Sequence, residues 1–151
     1  MSVKVNFSLG KLAQATPKIM AQLINDVGAL VITDTIQGVR VGQDQANRAF
    51  VPLKPATIAQ KSKKGAQVPS RALWDTGRMV EGMFLKKKAS ASRLNALVAL
   101  AGDRVKIGGF HQAGDGVPTR VWFPEKATPR ISKRMLPLLR SAERKLVKAV
   151  K

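Results

Sequence analysis

The sequence predicts a single α+β domain, an antiparallel β-sheet packed against a long N-terminal helix and a C-terminal helix. Three observations predict it. Apolar residues recur at helical spacing near both ends of the chain. Between them lie short apolar runs bounded by Gly, Asn, Asp and Ser, the pattern of short strands. The 151 residues suffice for one core, burying about 70% of the surface the unfolded chain exposes, whereas two domains would be cramped.

The N-terminal helix is read from "ATPKIMAQLINDVGALVITDTIQG". Thr16 stands as its N-cap and Pro17 at its first helical position. Ile19, Leu23, Val27, Leu30 and Val31 then form an apolar stripe, widened by Met20 and Ile24. Gly38 is the expected stop. Asn25, Asp26 and Asp34 interrupt the apolar run, so it reads as an amphipathic helix rather than a membrane span. After the extended "FVPLK", Pro55 starts a short helix over residues 56–61. "KSKKGAQVPS" follows as an exposed, mobile basic loop near residues 61–71, either plainly solvated or ordered against an acidic partner.

Beyond Gly82 the pattern changes. "MFLKKKAS", "NALVALAG" and "DRVKIGG" read as three short strands, with a hairpin turn at Gly102-Asp103. "FHQAGDGVPTRVWFPEKATPR" reads as a loop leading into Val121-Trp122-Phe123. "MLPLLRSAERKLVKAV" is a second amphipathic helix that starts near Pro137. Leu138, Leu139, Ala142, Leu146 and Val150 supply its apolar side, and Arg144, Lys145, Lys148 and Lys151 crowd its last turns, as the helix dipole favours.

Charge bounds the function. The formal net charge is +18, divided as +6 over residues 1–75 and +12 over residues 76–151. Such an excess repels itself and favours an anionic partner. Cysteine is absent, so disulfides and thiolate metal sites are excluded. "MSVKVNFSLG" lacks the apolar run of a signal peptide, and the expectation is a soluble protein with no membrane partner. His111 is the sole histidine, and the nine acids show no metal-ligand spacing around it. "GDGVPTR" has glycines without a phosphate-loop ending. Neither a cofactor nor an enzymatic activity is expected.

"ALWDTGRMVEG" raises one catalytic possibility, since Asp75-Thr76-Gly77 is the triplet of aspartic proteases. A dyad needs two carboxylates sharing a proton, so this chain would have to pair across its own Asp75. The long, charged Arg78 directly after the triplet opposes so tight a junction. The structural alternative is better supported: Asp75 caps a short helix over residues 76–80. Nucleic-acid binding gains from the charge, but there is no Tyr, and the aromatics do not interleave with the cations. Basicity alone supports non-specific phosphate contact.

Three stretches carry a further signal. "FVPLKPATIAQK" (50–61) holds a bulky residue, Pro-Leu, and a hydroxyl-bearing short helix ending in Lys. "ALWDTGRMVEGM" (72–83) holds Leu-x-Asp-Thr-Gly. "VKIGGFHQAGDGVPTRVWF" (105–123) holds an Ile-Gly turn, a His-Gln-x-Gly loop and a Pro-x-Arg segment. In this order and spacing they resemble the phage virion morphogenesis family of tail completion proteins, which includes neck and head-to-tail joining components. The likeness covers roughly residues 12–150 and departs from the family pattern within 109–121. It implies an oligomeric ring, a hexamer by the symmetry of tail tubes, that completes the tail and joins it to the head connector. Its partners would be itself, tail tube and connector proteins, and DNA passing non-specifically through the lumen. It would reside in the virion, and in the host cytoplasm during assembly. In that family Asp-Thr-Gly is a turn, not a catalyst. A free, non-specific nucleic-acid-binding protein is the alternative.

Candidate contact residues follow from charge and composition. Lys61, Lys63 and Lys64 form a docking loop, and Lys86, Lys87 and Lys88 a second cationic run, because consecutive strand residues face both sides. Arg78, His111, Gln112, Arg120 and Trp122 are candidates for subunit contacts, since Arg and Trp are favoured interface anchors. The plainer reading of each is an ordinary surface cation or, for Trp122, a core aromatic.

Overall fold

Helix-forming residues before Thr16 (Ala, Leu, Gln, Lys) extend the first helix well beyond its expected start. In the computed structural model, which describes residues 9–74, 76–102, 104–124 and 128–150, α1 runs Leu9–Val41. Its 33 residues make a rod about 50 Å long. Thr16 and Pro17 therefore lie inside the helix rather than at its start. The stop is also displaced, from Gly38 to Gly42, which takes the left-handed conformation at φ 77°. Gln43 N–H donates to Gly38 O (2.8 Å) and Gly42 N–H to Val39 O (3.1 Å), the bond pair of a Schellman cap. Gly38 is buried within the last turns.

The remaining elements are α2 (Pro55–Lys63), α3 (Arg78–Glu81), β1 (Met83–Lys87), β2 (Leu97–Leu100), α4 (Arg104–Ala113) and α5 (Pro129–Val150). The architecture is α+β in one domain, with the N- and C-terminal helices packed together. Helix α1 is the middle layer. The sheet lies on one side, where Leu85 fills the space a side chain at position 28 would need. There the Asn25 amide also pairs with the Ala89 backbone, accepting at 2.8 Å and donating at 3.0 Å.

Helix α5 lies antiparallel against α1. Its buried face is Ile131, Met135, Leu138, Ala142, Leu146 and Ala149, all buried or half-buried at helical spacing. The expected start at Pro137 is a correction: α5 begins a full two turns earlier and Pro137 is internal. Thr128 Oγ1 accepts from Ile131 N–H (3.2 Å), and Pro129 fills the first helical position. A buried carboxylate joins the two helices. Asp34, 1% exposed, accepts from Arg130 Nε (2.8 Å) and Arg134 Nη1 (2.7 Å). Length and mean hydropathy (1.3) would let Ala13–Val41 cross a bilayer, but its packing partners here are α5, the sheet and these two guanidinium groups.

Among the described residues two strands form where three were expected. β1 and β2 pair antiparallel, with Met83 opposite Leu100, Phe84 opposite Ala99, Leu85 opposite Val98 and Lys87 opposite Leu97. Of "DRVKIGG", residues 104–109 are helical, as α4, which continues through Phe110, His111 and Gln112, which were expected in a loop. The alternation Val105-Lys106-Ile107 suggested a strand, yet both apolar members are exposed, at 53% and 38%. Burial falls on Gly108, whose carbonyl accepts from Trp122 Nε1 (3.0 Å). A Cβ at 108 would stand 2.7 Å from the indole, so the helix is fitted to that ring. Residues 121–123 form no strand, and the expected turn residue Asp103 lies outside the described residues. Val39, Phe50, Ala72, Trp74, Met79, Val80, Met83 and Trp122 make the core cluster beneath these elements.

Candidate interaction surface

A cavity of about 310 Å³ opens between α2, α3 and α4. Leu53 lines it from just before α2, Thr57 and Lys61 from α2, Leu73, Trp74, Thr76, Gly77, Arg78 and Met79 from the segment that leads into and opens α3, and Arg104, Ile107 and His111 from α4. Of the candidate residues, Lys61, Arg78 and His111 are thus brought to one wall. The wall is built by unusual backbone. Leu73 is held at φ 58°, a left-handed conformation costing about 1–2 kcal/mol for a side-chain-bearing residue. Gly77, at φ 78°, is the N-cap of α3, and its carbonyl accepts from Val80 and Glu81 N–H (3.1 and 3.0 Å). A Cβ there would meet Glu81 Oε1 at 2.9 Å and the Trp74 ring at 3.1 Å. Asp75, expected to cap a helix over 76–80, lies outside the described residues; the helix observed starts at Arg78.

Lys61 sits in the last turn of α2, not in a loop. Its Nζ donates to Arg71 O (2.7 Å) and Trp74 O (2.8 Å), fixing the floor of the cavity. Lys63, also in α2, and Lys64, at its C-cap, are exposed. So are Lys86 and Lys87 on β1 and Lys88 just beyond it. Lys86 borders a second groove, of about 420 Å³, whose walls are Val98, Ala99 and Leu100 of β2, Val105 of α4, and Trp122 with Phe123.

The other candidates form an internal bracket. Gln112 Oε1 accepts from both Trp122 and Phe123 N–H (3.2 Å each), and its Nε2 donates to Phe123 O (3.0 Å). Arg120 is 4% exposed. Its Nη1 donates to Pro118 O and its Nη2 to Val51 O (3.2 Å each), while its Nε is buried without a partner. Burial lowers the pKa of the guanidinium from its ordinary value. Trp122, 3% exposed, is a core aromatic. Arg120 and Trp122 therefore shape a surface instead of presenting their own side chains to a partner.

His111 connects bracket and cavity. Its carbonyl accepts from Arg120 N–H (2.7 Å), and its Nδ1 lies 3.4 Å from Arg120 Nη1. Burial first, and the adjacent positive charge second, lower its pKa below 6.5, so the ring is neutral at physiological pH. An Nδ1 accepting from the guanidinium leaves the ring proton on Nε2. Among the described residues no group of three His, Cys, Asp or Glu converges as a metal site would require.

Sequence reasoning missed the cluster of Asp34 with Arg130 and Arg134. A signal existed, because Asp34 continues the apolar stripe at Val27, Leu30 and Val31, and a carboxylate on a buried face needs cationic partners. The left-handed Leu73 left no signal, because that conformation favours Gly or Asn. Comparison with protein-family models, curated proteins and solved structures finds no match to this chain.

Proposed function

We propose that this chain is a structural protein of a tailed-phage virion, forming an oligomeric ring that completes the tail and joins it to the head connector. One observation carries the reading. The three stretches that resemble the tail completion family, far apart in sequence, supply every residue lining the cavity between α2, α3 and α4 except Arg104. Stretches that share one wall are expected to be retained as a set, which supports treating their order as one signature. The strained Leu73 in that wall fits a surface shaped for contact.

In this role no bond is made or broken. Subunits close head to tail into a ring, a hexamer in our reading, through heterologous contacts. Exposed Lys63, Lys64 and Arg78 lie at or beside the cavity and meet acidic groups of a neighbouring subunit, the tail tube or the connector. The +18 charge per subunit requires such partners, or DNA in the lumen, to neutralise it. The same charge favours the second reading, a free nucleic-acid-binding protein.

Electron microscopy of particles assembled with this chain tests the proposal. Density for a ring of it at the head-proximal end of the tail is the expected result. A chain located elsewhere in the particle, or absent from it, overturns the reading.

A further inference from the structure

Helix α5 carries seven of the chain's 27 cations and one of its nine acids. Arg130 and Arg134 are engaged with Asp34. Lys133, Arg140, Arg144 and Lys148 are different: all four are exposed, and none is paired with an acid among the described residues. Their spacing of seven, four and four residues keeps them on one side of the helix, at about 100° per residue. That side is roughly opposite Ile131, Leu138, Ala142 and Ala149, the residues turned toward α1. The result is a cationic ridge about 22 Å long. Pro137 lies on it, and the one acid, Glu143, stands at its margin beside the exposed apolar Leu136, Leu139 and Val147.

We infer that this ridge is a docking surface for the phosphate backbone of duplex DNA. Charge complementarity selects the partner. Duplex DNA presents about one negative charge per 1.7 Å of axis, so a rigid cationic rod meets phosphate wherever it lies. Two of the four groups are guanidinium forks, which match phosphate oxygens. The ridge holds no amide or aromatic side chain that could read a base edge, so contact is independent of sequence. A membrane is the poorer fit, because the broad apolar face such a helix would insert is already packed on α1. The inference does not require the ring; within a ring it would name α5 as the lumen-facing element.

The test is binding of the full chain to a labelled mixed-sequence duplex between about 50 and about 200 mM salt. Arg140→Gln/Arg144→Gln should lower the salt slope by roughly two and weaken binding by on the order of tenfold or more near 0.1 M salt. Arg140→Lys/Arg144→Lys should bind nearly as the parent. Removing equal charge elsewhere, at the exposed pair Lys54→Gln/Lys106→Gln, should leave affinity within about twofold, and circular dichroism should show all variants folded. An equal loss from the Lys54 and Lys106 pair, or no loss from the α5 pair, overturns the inference. Tighter binding to polyglutamate, or to vesicles of phosphatidylserine and phosphatidylcholine, overturns it in favour of an acidic protein or a membrane. Sedimentation of the same samples reports assembly separately, so failure of DNA binding and failure of the ring are distinguishable.

Discussion

The two ends of the α1–α5 pair are built differently, although the same five-residue pattern, Ala-Thr-Pro-basic-Ile, stands at each (15–19 and 127–131). At the second copy Thr128 caps α5, Pro129 opens it, and Arg130 closes on Asp34. Ile131 and Val39 are 2% and 0% exposed there. At the first copy Thr16 and Pro17 lie in mid-helix, among residues such as Ile19 and Leu23 that are only half-buried. No ion pair among the described residues ties α1 to α5 at that end. One end is locked by charge and closely covered; the other relies on partial apolar contact. A short motif thus starts a helix only where the preceding chain stops one. Before Thr128 comes Phe123-Pro124, which disfavours helix at 123, while Thr16 follows a run of strong helix formers.

The largest expected effect breaks the locked end. Asp34→Ala leaves Arg130 and Arg134 without their carboxylate and should cost about 3–5 kcal/mol in denaturant unfolding, enough to unfold a marginal domain. Replacing the trio together, as Asp34→Leu/Arg130→Met/Arg134→Met, should be much less costly, since no unpaired buried charge remains. A triple variant as unstable as the single one would show that the cluster does more than neutralise itself.

At the open end the sign reverses. Pro17 deprives α1 of the hydrogen bond to Ala13 O, and an internal proline costs a helix about 3 kcal/mol. Pro17→Ala should therefore raise the melting temperature. A fall would mean that a bend at Pro17 is needed for the contacts of Ile19 and Leu23.

The two threonines sharpen the contrast. Thr128→Ala removes the acceptor for Ile131 N–H and should cost about 1 kcal/mol. Thr16→Ala, inside α1, gains helix propensity and should cost less than Thr128→Ala. Equal losses at the two sites would contradict the distinction between the ends.

The sequence made the layer plan legible because two strong helical periodicities flank short strands. It misplaced the helix starts, because Thr-Pro at 16–17 and Pro137 carry start signals, which the helix formers before Thr16 override in α1 and which the earlier start at Thr128-Pro129 overrides in α5. It mistook α4 for a strand because Val105-Lys106-Ile107 alternates, while the burial that decides the matter falls on Gly108, which has no side chain to register in such a pattern. Within the candidate surface, cations and polar groups could be named from charge. That His111, Gln112, Arg120 and Trp122 form one bracket across residues 110–123 depends on a loop returning over α4, which spacing does not encode.

The smallest expected effect concerns pH and again belongs to the locked end. Asp44 shapes the turn after α1, accepting from Ala46 N–H, Arg48 N–H and Arg48 Nε at 2.8 Å each. That turn presents Asn47 Oδ1 to Arg130 Nη1 (2.8 Å), so Asp44 supports the lock indirectly. Burial alone would raise its pKa, but the hydrogen bonds from Arg48 and Ala46 outweigh it and hold the value below 3.8. The folded state then binds fewer protons than the unfolded state as pH falls past 3.8. Asp44's contribution is accordingly complete above 3.8 and is lost as pH drops through the lower folded value. Melting temperatures on either side of that window should differ less in Asp44→Asn than in the parent. An unchanged difference would mean that acid weakens the locked end through other carboxylates, leaving the 44–48 turn out of its pH dependence.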